Sequence, residues 1–253
     1  MRQVPTVPTA PRSTARRDPA HAPRRQARYW DRRYRADPEF FGPGPSRFLR
    51  WTLAQLRGRP VGRSWLELGS GYGRDLVALR DLGYSVRGVD VSQVGAALAR
   101  KAGLSVVAVP ALDGLATLRP ESVDVVFSNL FLNMEFSEEE HDRLFDEIHR
   151  VLVPGGFHAY SVRSVADRWY GRGPRAGPDS FDLSPHGPVL HFFSREYARR
   201  LRKGRFLCRR FWEGTEGREF AISVLYILEQ KPRAPGAGWR PRSGRPRTRP
   251  TPS

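Results

Sequence analysis

The stretch Ser64-Trp-Leu-Glu-Leu-Gly-Ser-Gly-Tyr-Gly73 decides the fold. Residues 64–68 are mostly apolar, which predicts a short buried strand, and three glycines at alternate positions follow it. Glycine lets the backbone turn tightly and approach a ligand closely, and a helix predicted from Arg74 presents free N–H groups behind the turn. This turn is therefore either a ligand-binding loop or a tight strand-to-helix connection.

Predicted strands and helices alternate on both sides of this turn, which is typical of a parallel sheet covered by helices on both faces. The fold class is therefore α/β, with a doubly wound sheet. The strands are predicted at residues 64–69, 85–90, 105–109, 123–128, 157–162 and 220–228. The helices are predicted at residues 28–35, 46–56, 74–82, 92–102, 137–152 and 194–201.

Two details distinguish this loop from a dinucleotide-binding fingerprint. The third glycine of that fingerprint would fall at position 74, which is Arg74. Glu67 also places a carboxylate two residues before the first glycine, where a ligand's ammonium group could lie. Asp90 ends the second strand and can accept hydrogen bonds from both hydroxyls of a ribose. NAD enzymes share that feature, so Asp90 does little to distinguish a dinucleotide-binding loop from a loop that binds another ribose-containing ligand.

Several motifs in the same order strengthen this interpretation. With the glycine loop and Asp90, the strand Val123-Asp-Val-Val-Phe-Ser-Asn129 and the turn Leu152-Val-Pro-Gly-Gly-Phe157 resemble class I S-adenosylmethionine-dependent methyltransferases over residues 64–230. The resemblance implies a Rossmann-like sheet, mostly parallel with an antiparallel last strand, and S-adenosylmethionine as methyl donor. It implies donor contacts from Glu67, Gly69, Ser70, Gly71, Gly73, Asp90, Val91, Asp113 and Asn129.

Asp113 departs from the family's pattern. The family usually has an acid just after the third strand that bonds the adenine amino group, and Asp113 comes a residue or two later than that. Asp113 either fills this role or caps the helix that follows it.

The N-terminal segment suggests the kind of acceptor. Residues 29–34, Tyr-Trp-Asp-Arg-Arg-Tyr, with Phe40-Phe-Gly42, resemble the leader of thiopurine- and tellurite-type methyltransferases, which helps to enclose a small acceptor. The alternative is an aromatic cluster that only caps the sheet. After the fourth strand, residues 129–133 lack the paired prolines of enzymes that methylate base amino groups. Cys208, the single cysteine, lies in the wrong part of the fold for the nucleophile of enzymes that methylate carbon-5 of pyrimidines, and arsenite-type enzymes rely on several cysteines.

Acceptor contacts are expected from the loops at the carboxyl ends of the strands. The long segment at residues 164–190 is expected to form an ordered lid that closes over the acceptor together with the N-terminal segment. The candidate catalytic residues are Tyr34, Asn129 and Arg163. The candidate substrate-binding residues are Trp30, Tyr34, Asn133, Arg163, Trp169, Tyr170 and His186.

The formal net charge of +17 belongs mostly to the two ends of the chain, because residues 1–28 and 231–253 hold 13 of these charges. Both ends are rich in Pro, Ala, Gly and Arg and cannot bury a core. The predicted organisation is a disordered basic tail (1–28), a helical cap segment (29–60), a methyltransferase domain (61–232) and a second disordered basic tail (233–253).

The basic ends of the chain allow two interpretations, only one of which involves a binding partner. They reflect either a compositional bias towards arginine or a weak, salt-dependent affinity for RNA. An RNA-directed methyltransferase and a non-catalytic S-adenosylmethionine-binding protein are therefore the alternatives to a small-molecule methyltransferase. No apolar run is long enough to span a bilayer, and the histidines show no metal-ligand spacing, so we expect a cytoplasmic protein without a membrane partner or a metal site.

Overall fold

The structure is a computed structural model that describes residues 22–185, 187–217 and 221–233. Seven helices and ten strands occur in these residues. The helices are α1 (Ala22–Ala36), α2 (Arg47–Leu56), α3 (Arg74–Asp81), α4 (Gln93–Lys101), α5 (Ala111–Ala116), α6 (Glu138–Val151) and α7 (Arg195–Arg202). The strands are β1 (Ser64–Leu68), β2 (Ser85–Asp90), β3 (Val106–Ala108), β4 (Val123–Asn129), β5 (Leu152–Arg163), β6 (Arg175–Gly177), β7 (Ser180–Asp182), β8 (Val189–His191), β9 (Leu207–Glu216) and β10 (Ile222–Gln230).

Seven of the strands form one twisted sheet in the order β3-β2-β1-β4-β5-β10-β9. Strands β1 to β5 run parallel to one another, and β10 lies between β5 and β9 and runs antiparallel to both. The doubly wound, mostly parallel sheet with an antiparallel last strand is thereby confirmed. The order reverses between β1 and β4, which is where α/β sheets of this kind place their ligands.

The sheet separates two hydrophobic cores. Because side chains alternate along a strand, Leu66 and Leu68 face one core while Trp65 faces the other. The first core includes buried side chains of α5, α6 and α7, and the second includes those of α2 and α3. All three of these strand residues are at most 1% exposed, so β1 is sealed on both faces and holds the glycine loop rigidly at its end.

Two β features were not predicted. Strand β9 pairs with β10 at the edge of the large sheet, and its residues are half-buried or exposed, so it lacks an apolar alternation. Strands β6, β7 and β8 form a separate antiparallel sheet within the segment expected to be a lid. Each has three residues, which is too short to give a periodic signal in the sequence.

The expected tail at residues 1–28 is wrong for its last seven residues, because α1 begins at Ala22. Ala22 and Gln26 are buried. The Gln26 side chain donates a hydrogen bond to the backbone oxygen of Glu135 (2.9 Å), and Arg25 pairs with the Glu135 carboxylate (Nε to Oε2, 3.2 Å). These contacts, rather than its own polar composition, hold the first turns of α1 on the domain. The rest of that tail and residues 234–253 lie outside the described residues.

We expect removal of residues 1–21 and 234–253 to leave the melting temperature nearly unchanged, because neither segment has the apolar residues to build a core. Removal of residues 1–28 takes away the contacts of Arg25 and Gln26 and is expected to lower the melting temperature by several degrees. Thermal unfolding of both truncated proteins measures this difference. Equal melting temperatures would show that the start of α1 contributes nothing to stability.

No helix in the described part of the chain is both long enough and apolar enough to cross a membrane. The same residues contain no group of three or more His, Cys, Asp or Glu side chains arranged to hold a metal ion.

Candidate active site

The glycine loop connects β1 to α3 and adopts the backbone conformation that glycine allows. Gly69, Gly71 and Gly73 have φ angles of +72°, +54° and +85°, in the left-handed region. The Gly69 N–H bonds to the Val89 carbonyl (2.8 Å), so the loop is attached to the end of β2. The turn predicted from the glycine spacing is therefore held between two strand ends and the N-terminus of α3.

A cavity of about 420 Å³ lies at the carboxyl ends of β1, β2, β4 and β5. Helix α1 and the segment that contains the small sheet contribute the rest of its wall. The residues predicted from the sequence that line it are Trp30, Tyr34, Glu67, Gly69, Ser70, Gly71, Asp90, Val91, Asn129, Asn133, Arg163 and Trp169. The cavity thus brings together residues from five separate stretches of the chain, 30–34, 67–71, 90–91, 129–133 and 163–169.

Glu67 is a buried acid without a partner. Its side chain lines the cavity, and its Oε2 atom has no hydrogen-bond partner among the described residues. Burial raises the pKa of Glu67 well above its usual range, and the nearby Asp75 carboxylate raises it further. A cationic ligand would reverse this effect, because a nearby positive charge favours the ionised carboxylate. Glu67 therefore fits the ammonium group of the expected donor.

Asp90 ties the end of β2 to the glycine loop. One carboxylate oxygen accepts from the Gly71 N–H and the other from the Ser92 N–H, each at 2.7 Å. Burial raises the pKa of Asp90 to about 6, although these two hydrogen bonds act in the opposite direction. Each oxygen still has a free lone pair, so the carboxylate fits the two ribose hydroxyls of the expected donor.

Tyr34 connects α1 to the glycine loop. Its hydroxyl lies directly against Gly71, and its ring lies close to Gly95 at the start of α4, so that a side chain at either glycine would overlap it. Burial raises the pKa of Tyr34 well above its usual range, and the nearby Asp90 carboxylate adds to this. On the same helix, Asp31 accepts hydrogen bonds from Ser92 Oγ (2.6 Å) and from the backbone of α4. Helix α1 is thereby placed over the expected donor site.

The segment after β5 forms the opposite part of the wall. Trp169 lines the cavity and packs in one hydrophobic cluster with Trp30 of α1 and with the buried Met134, Leu183 and Leu190. The segment expected to form a lid is therefore ordered, and it meets the N-terminal segment at the cavity. This contact between the two segments was expected from their aromatic content.

Asn129 and Asn133 follow β4 along the floor of the cavity. Ser161 Oγ donates to Asn129 Oδ1 (2.5 Å), which leaves the Asn129 amide N–H groups free to face the cavity. Asn133 is 1% exposed, and its Oδ1 has no hydrogen-bond partner among the described residues. Both amides therefore offer polar groups to a ligand.

Three of the predicted residues are placed differently. Gly73 and Asp113 do not line the cavity, and Asp113 is exposed in the first turn of α5. Tyr170 is also outside it, 39% exposed, with its hydroxyl bonded to Asp179 (2.7 Å). His186 lies outside the described residues.

Several residues of the cavity wall were not predicted from the sequence. Gln26, Phe131, Met134, Leu183, Leu190 and Ile222 line the cavity. Most of them belong to irregular segments or element ends, where neither a periodic pattern nor a motif marks them. The aromatic and apolar content of residues 130–136 and 181–193 was the available signal.

Comparisons with known proteins agree with this geometry. The family described as a methyltransferase domain matches residues 66–160, which run from β1 to β5. No curated protein sequence matches this chain.

Solved structures share the fold at low sequence identity. A S-adenosylmethionine-dependent methyltransferase from Methanosarcina mazei superimposes with a TM-score of 0.60 at 22% identity, covering 67% of this chain and 92% of that one. Magnesium protoporphyrin IX methyltransferase from Synechocystis PCC 6803, solved with bound S-adenosylhomocysteine, gives 0.52 at 16% identity, covering 72% and 79%. The cyclase SpnF gives 0.63 at 17% identity, covering 84% and 97%.

A fold shared by methyltransferases and a cyclase does not by itself define the reaction. The family match adds the methyltransferase assignment, and it covers the strand ends and the glycine loop that form the expected donor site. Residues 66–160 therefore match a methyltransferase domain, and the enzyme uses S-adenosylmethionine as its methyl donor.

Proposed function

We propose that this enzyme methylates a small-molecule acceptor bound in the same cavity as the donor. We call the part of the cavity lined by Glu67, Asp90 and the glycine loop the donor side. We call the part lined by Trp30, Met134, Arg163, Trp169, Leu183 and Leu190 the acceptor side. The observation that carries the proposal is the enclosure of the acceptor side by α1 and the segment after β5, which pack against each other.

An enclosed apolar wall suits a small molecule. Pockets for such ligands are mostly apolar, with a few polar groups that set the orientation, and the acceptor side has this composition. The position of α1 over the glycine loop also supports the resemblance to thiopurine- and tellurite-type enzymes, in which a leader segment covers the donor.

S-adenosylmethionine, when bound, supplies an electrophilic methyl group, and its transfer leaves S-adenosylhomocysteine. A lone pair on the acceptor's heteroatom forms the new bond to carbon while the sulfur–carbon bond breaks and its electrons return to sulfur. The protein's contribution is to hold the two molecules in line and to exclude water. Trp30 and Trp169 would exclude water, and Asn129, between the two sides, would orient the acceptor.

The RNA-directed alternative depends on the basic ends of the chain. Residues 1–21 and 234–253 carry most of this charge and lie outside the described residues. RNA methylation that falls steeply with salt, and that is lost when both ends are removed, would favour that alternative.

The first test is a screen for S-adenosylhomocysteine formation with a library of small aromatic and heterocyclic acceptors, run in parallel with RNA. We expect at least one class of small molecule to be methylated. Methylation of RNA alone would contradict the proposal. S-adenosylmethionine binding without turnover on either kind of acceptor would favour the non-catalytic alternative.

Replacement of Trp169 by alanine then tests the acceptor side. We expect kcat/KM for the acceptor to fall roughly tenfold or more, because the acceptor loses a wall that aligns it, while calorimetry shows unchanged donor affinity. Tyr170→Ala is the matched control, since the neighbouring aromatic side chain lies outside the cavity. Equal losses in the two variants, or a parallel loss of donor affinity and melting temperature, would show that Trp169 is structural.

A further inference from the structure

The charged groups of the cavity are separated along the sheet. Asp90 and Glu67 belong to β2 and β1 on the donor side, Asn129 ends β4, and Arg163 ends β5. Since neighbouring strands lie about 4.8 Å apart, the ends of β2 and β5 are roughly 14 Å apart. Asp75, the other carboxylate that lines the cavity among the described residues, also belongs to the donor side. The donor side therefore holds the carboxylates of the cavity together with Arg74, and the acceptor side carries the Arg163 guanidinium.

One edge of the Arg163 guanidinium is held in place. Its Nη2 donates to Asp167 Oδ1 (2.7 Å) and its Nε donates to Asp167 Oδ2 (3.2 Å), while its Cζ lies 5.7 Å from the Phe192 ring centroid. The Arg163 side chain is only 14% exposed. Its Nη1 atom donates no hydrogen bond to any described residue, so this edge of a fixed guanidinium is free on the cavity wall.

Both oxygens of the Asp167 carboxylate accept hydrogen bonds from other groups of the protein. Besides Arg163, it accepts from the backbone N–H groups of Trp169 and Ser223, both at 2.8 Å, and its side chain is completely buried. Each of its two oxygens thus accepts two hydrogen bonds, and Asp167 does not line the cavity. Asp167 therefore fixes Arg163 without offering a binding partner to a cationic acceptor.

The other two arginines of the wall are engaged elsewhere. Arg33 is exposed and lies over the Phe40 ring at 4.2 Å, and Arg74 donates to the Phe41 backbone oxygen. Both are thus held against the segment that follows α1, whereas Arg163 faces the acceptor side beside Trp169.

We propose that the acceptor has an apolar body and a carboxylate, and that Arg163 Nη1 donates a hydrogen bond to this carboxylate. This inference rests on the proposed small-molecule function and names the charge class of its substrate. A guanidinium on an apolar wall is poorly solvated, and a charge-assisted hydrogen bond to a carboxylate restores the lost interactions better than a neutral group can. The apolar side chains of the acceptor side would pack against the apolar body of the acceptor.

The test compares naphthoate with naphthamide, which have the same shape and differ in charge. Calorimetry on the full chain loaded with S-adenosylhomocysteine is expected to show naphthoate binding roughly tenfold or more tightly than naphthamide, the range for a charged hydrogen bond. In Arg163→Gln, naphthoate affinity is expected to fall to that of naphthamide, while naphthamide affinity stays unchanged. Arg195→Gln is the matched control, because Arg195 also pairs with an acid, Glu213, but lies outside the cavity.

Equal affinity for the two probes in the wild type, failure of both to bind, or a naphthoate preference that survives in folded Arg163→Gln would each overturn the inference. If Arg163→Gln does not fold because Asp167 is left uncompensated, the double variant Arg163→Gln/Asp167→Asn removes both charges and decides the same question. Methyl transfer to neutral and anionic small molecules at equal rates would overturn this inference alone. Methylation of RNA without any small molecule would instead overturn the proposed function.

Discussion

Replacement of Asp90 by alanine is expected to weaken S-adenosylmethionine binding by roughly 1–3 kcal/mol, the range for losing charged hydrogen bonds. The carboxylate has a double role, because it bonds the Gly71 N–H and the Ser92 N–H while it faces the cavity. The variant therefore loses both the ribose contact and the link that positions the glycine loop. Calorimetry with S-adenosylmethionine measures the loss.

Asp81→Ala is the matched control for Asp90→Ala, because Asp81 is an exposed acid on α3 that pairs with Arg80 and does not line the cavity. Its donor affinity should equal that of the wild type. Unchanged affinity in Asp90→Ala would refute the assignment of Asp90 to the donor, and tight binding of NAD in place of S-adenosylmethionine would favour the dinucleotide interpretation of the loop.

The same carboxylate predicts the pH dependence of donor binding. Since the pKa of Asp90 is raised to about 6, its ionised form, which we expect to accept from both ribose hydroxyls, is lost as the pH falls through 6. Donor affinity should therefore decrease below pH 6. The stability of the free protein should respond with the opposite sign, because the folded state takes up this proton at a higher pH than the unfolded chain does. Both trends should be reduced in Asp90→Asn.

Replacement of Gly71 by alanine is expected to lower both the stability of the protein and its affinity for the donor. A methyl group at this position would overlap the Tyr34 hydroxyl, and its φ of +54° disfavours any side chain. Overpacking costs roughly 1–3 kcal/mol, and the left-handed conformation costs about 1–2 kcal/mol more. We expect a lower free energy of unfolding and a loss of donor affinity of at least tenfold, measured by denaturation and calorimetry.

Gly58→Ala separates the two contributions. Gly58 has a similar backbone conformation (φ of +74°), but a methyl group there would meet nothing within 4 Å. This control should show only the conformational cost and normal donor binding. In the double variant Gly71→Ala/Tyr34→Phe, removal of the hydroxyl should restore part of the affinity. If Gly71→Ala binds the donor as well as Gly58→Ala does, the close contact with Tyr34 has no role in the site.

The donor side could be predicted from the sequence because its determinants are local. Gly69, Gly71 and Gly73 mark a turn that needs positive φ angles, and Glu67 and Asp90 stand at fixed offsets from strand ends. Parallel strands that follow one another along the chain bring their carboxyl ends to one edge, so these residues meet without any unusual long-range contact. The alternation of strands and helices, which led to the fold class, is a local property of the same kind.

The acceptor side could be predicted only in outline. Trp169 and Tyr170 are adjacent and both aromatic, yet the first lines the cavity and the second is bonded to Asp179 on the surface. Nothing in their residue types distinguishes them. The direction of each side chain depends on how the segment after β5 is anchored, and that anchor is Asp167, bonded to Ser223 56 residues later in the chain.

The sequence by itself therefore determined the α/β fold, the glycine loop and the position of Glu67 and Asp90 at strand ends beside it, since periodicity and backbone conformation are set by near neighbours. The tertiary structure alone decided where α1 begins, that β9 completes the sheet, and that the segment after β5 folds into its own small sheet against α1. The tertiary structure alone also placed Arg163 on the acceptor side, away from the protein carboxylates of the donor side. These features depend on contacts between residues distant in sequence, whose energies arise from burial and pairing that no local pattern records.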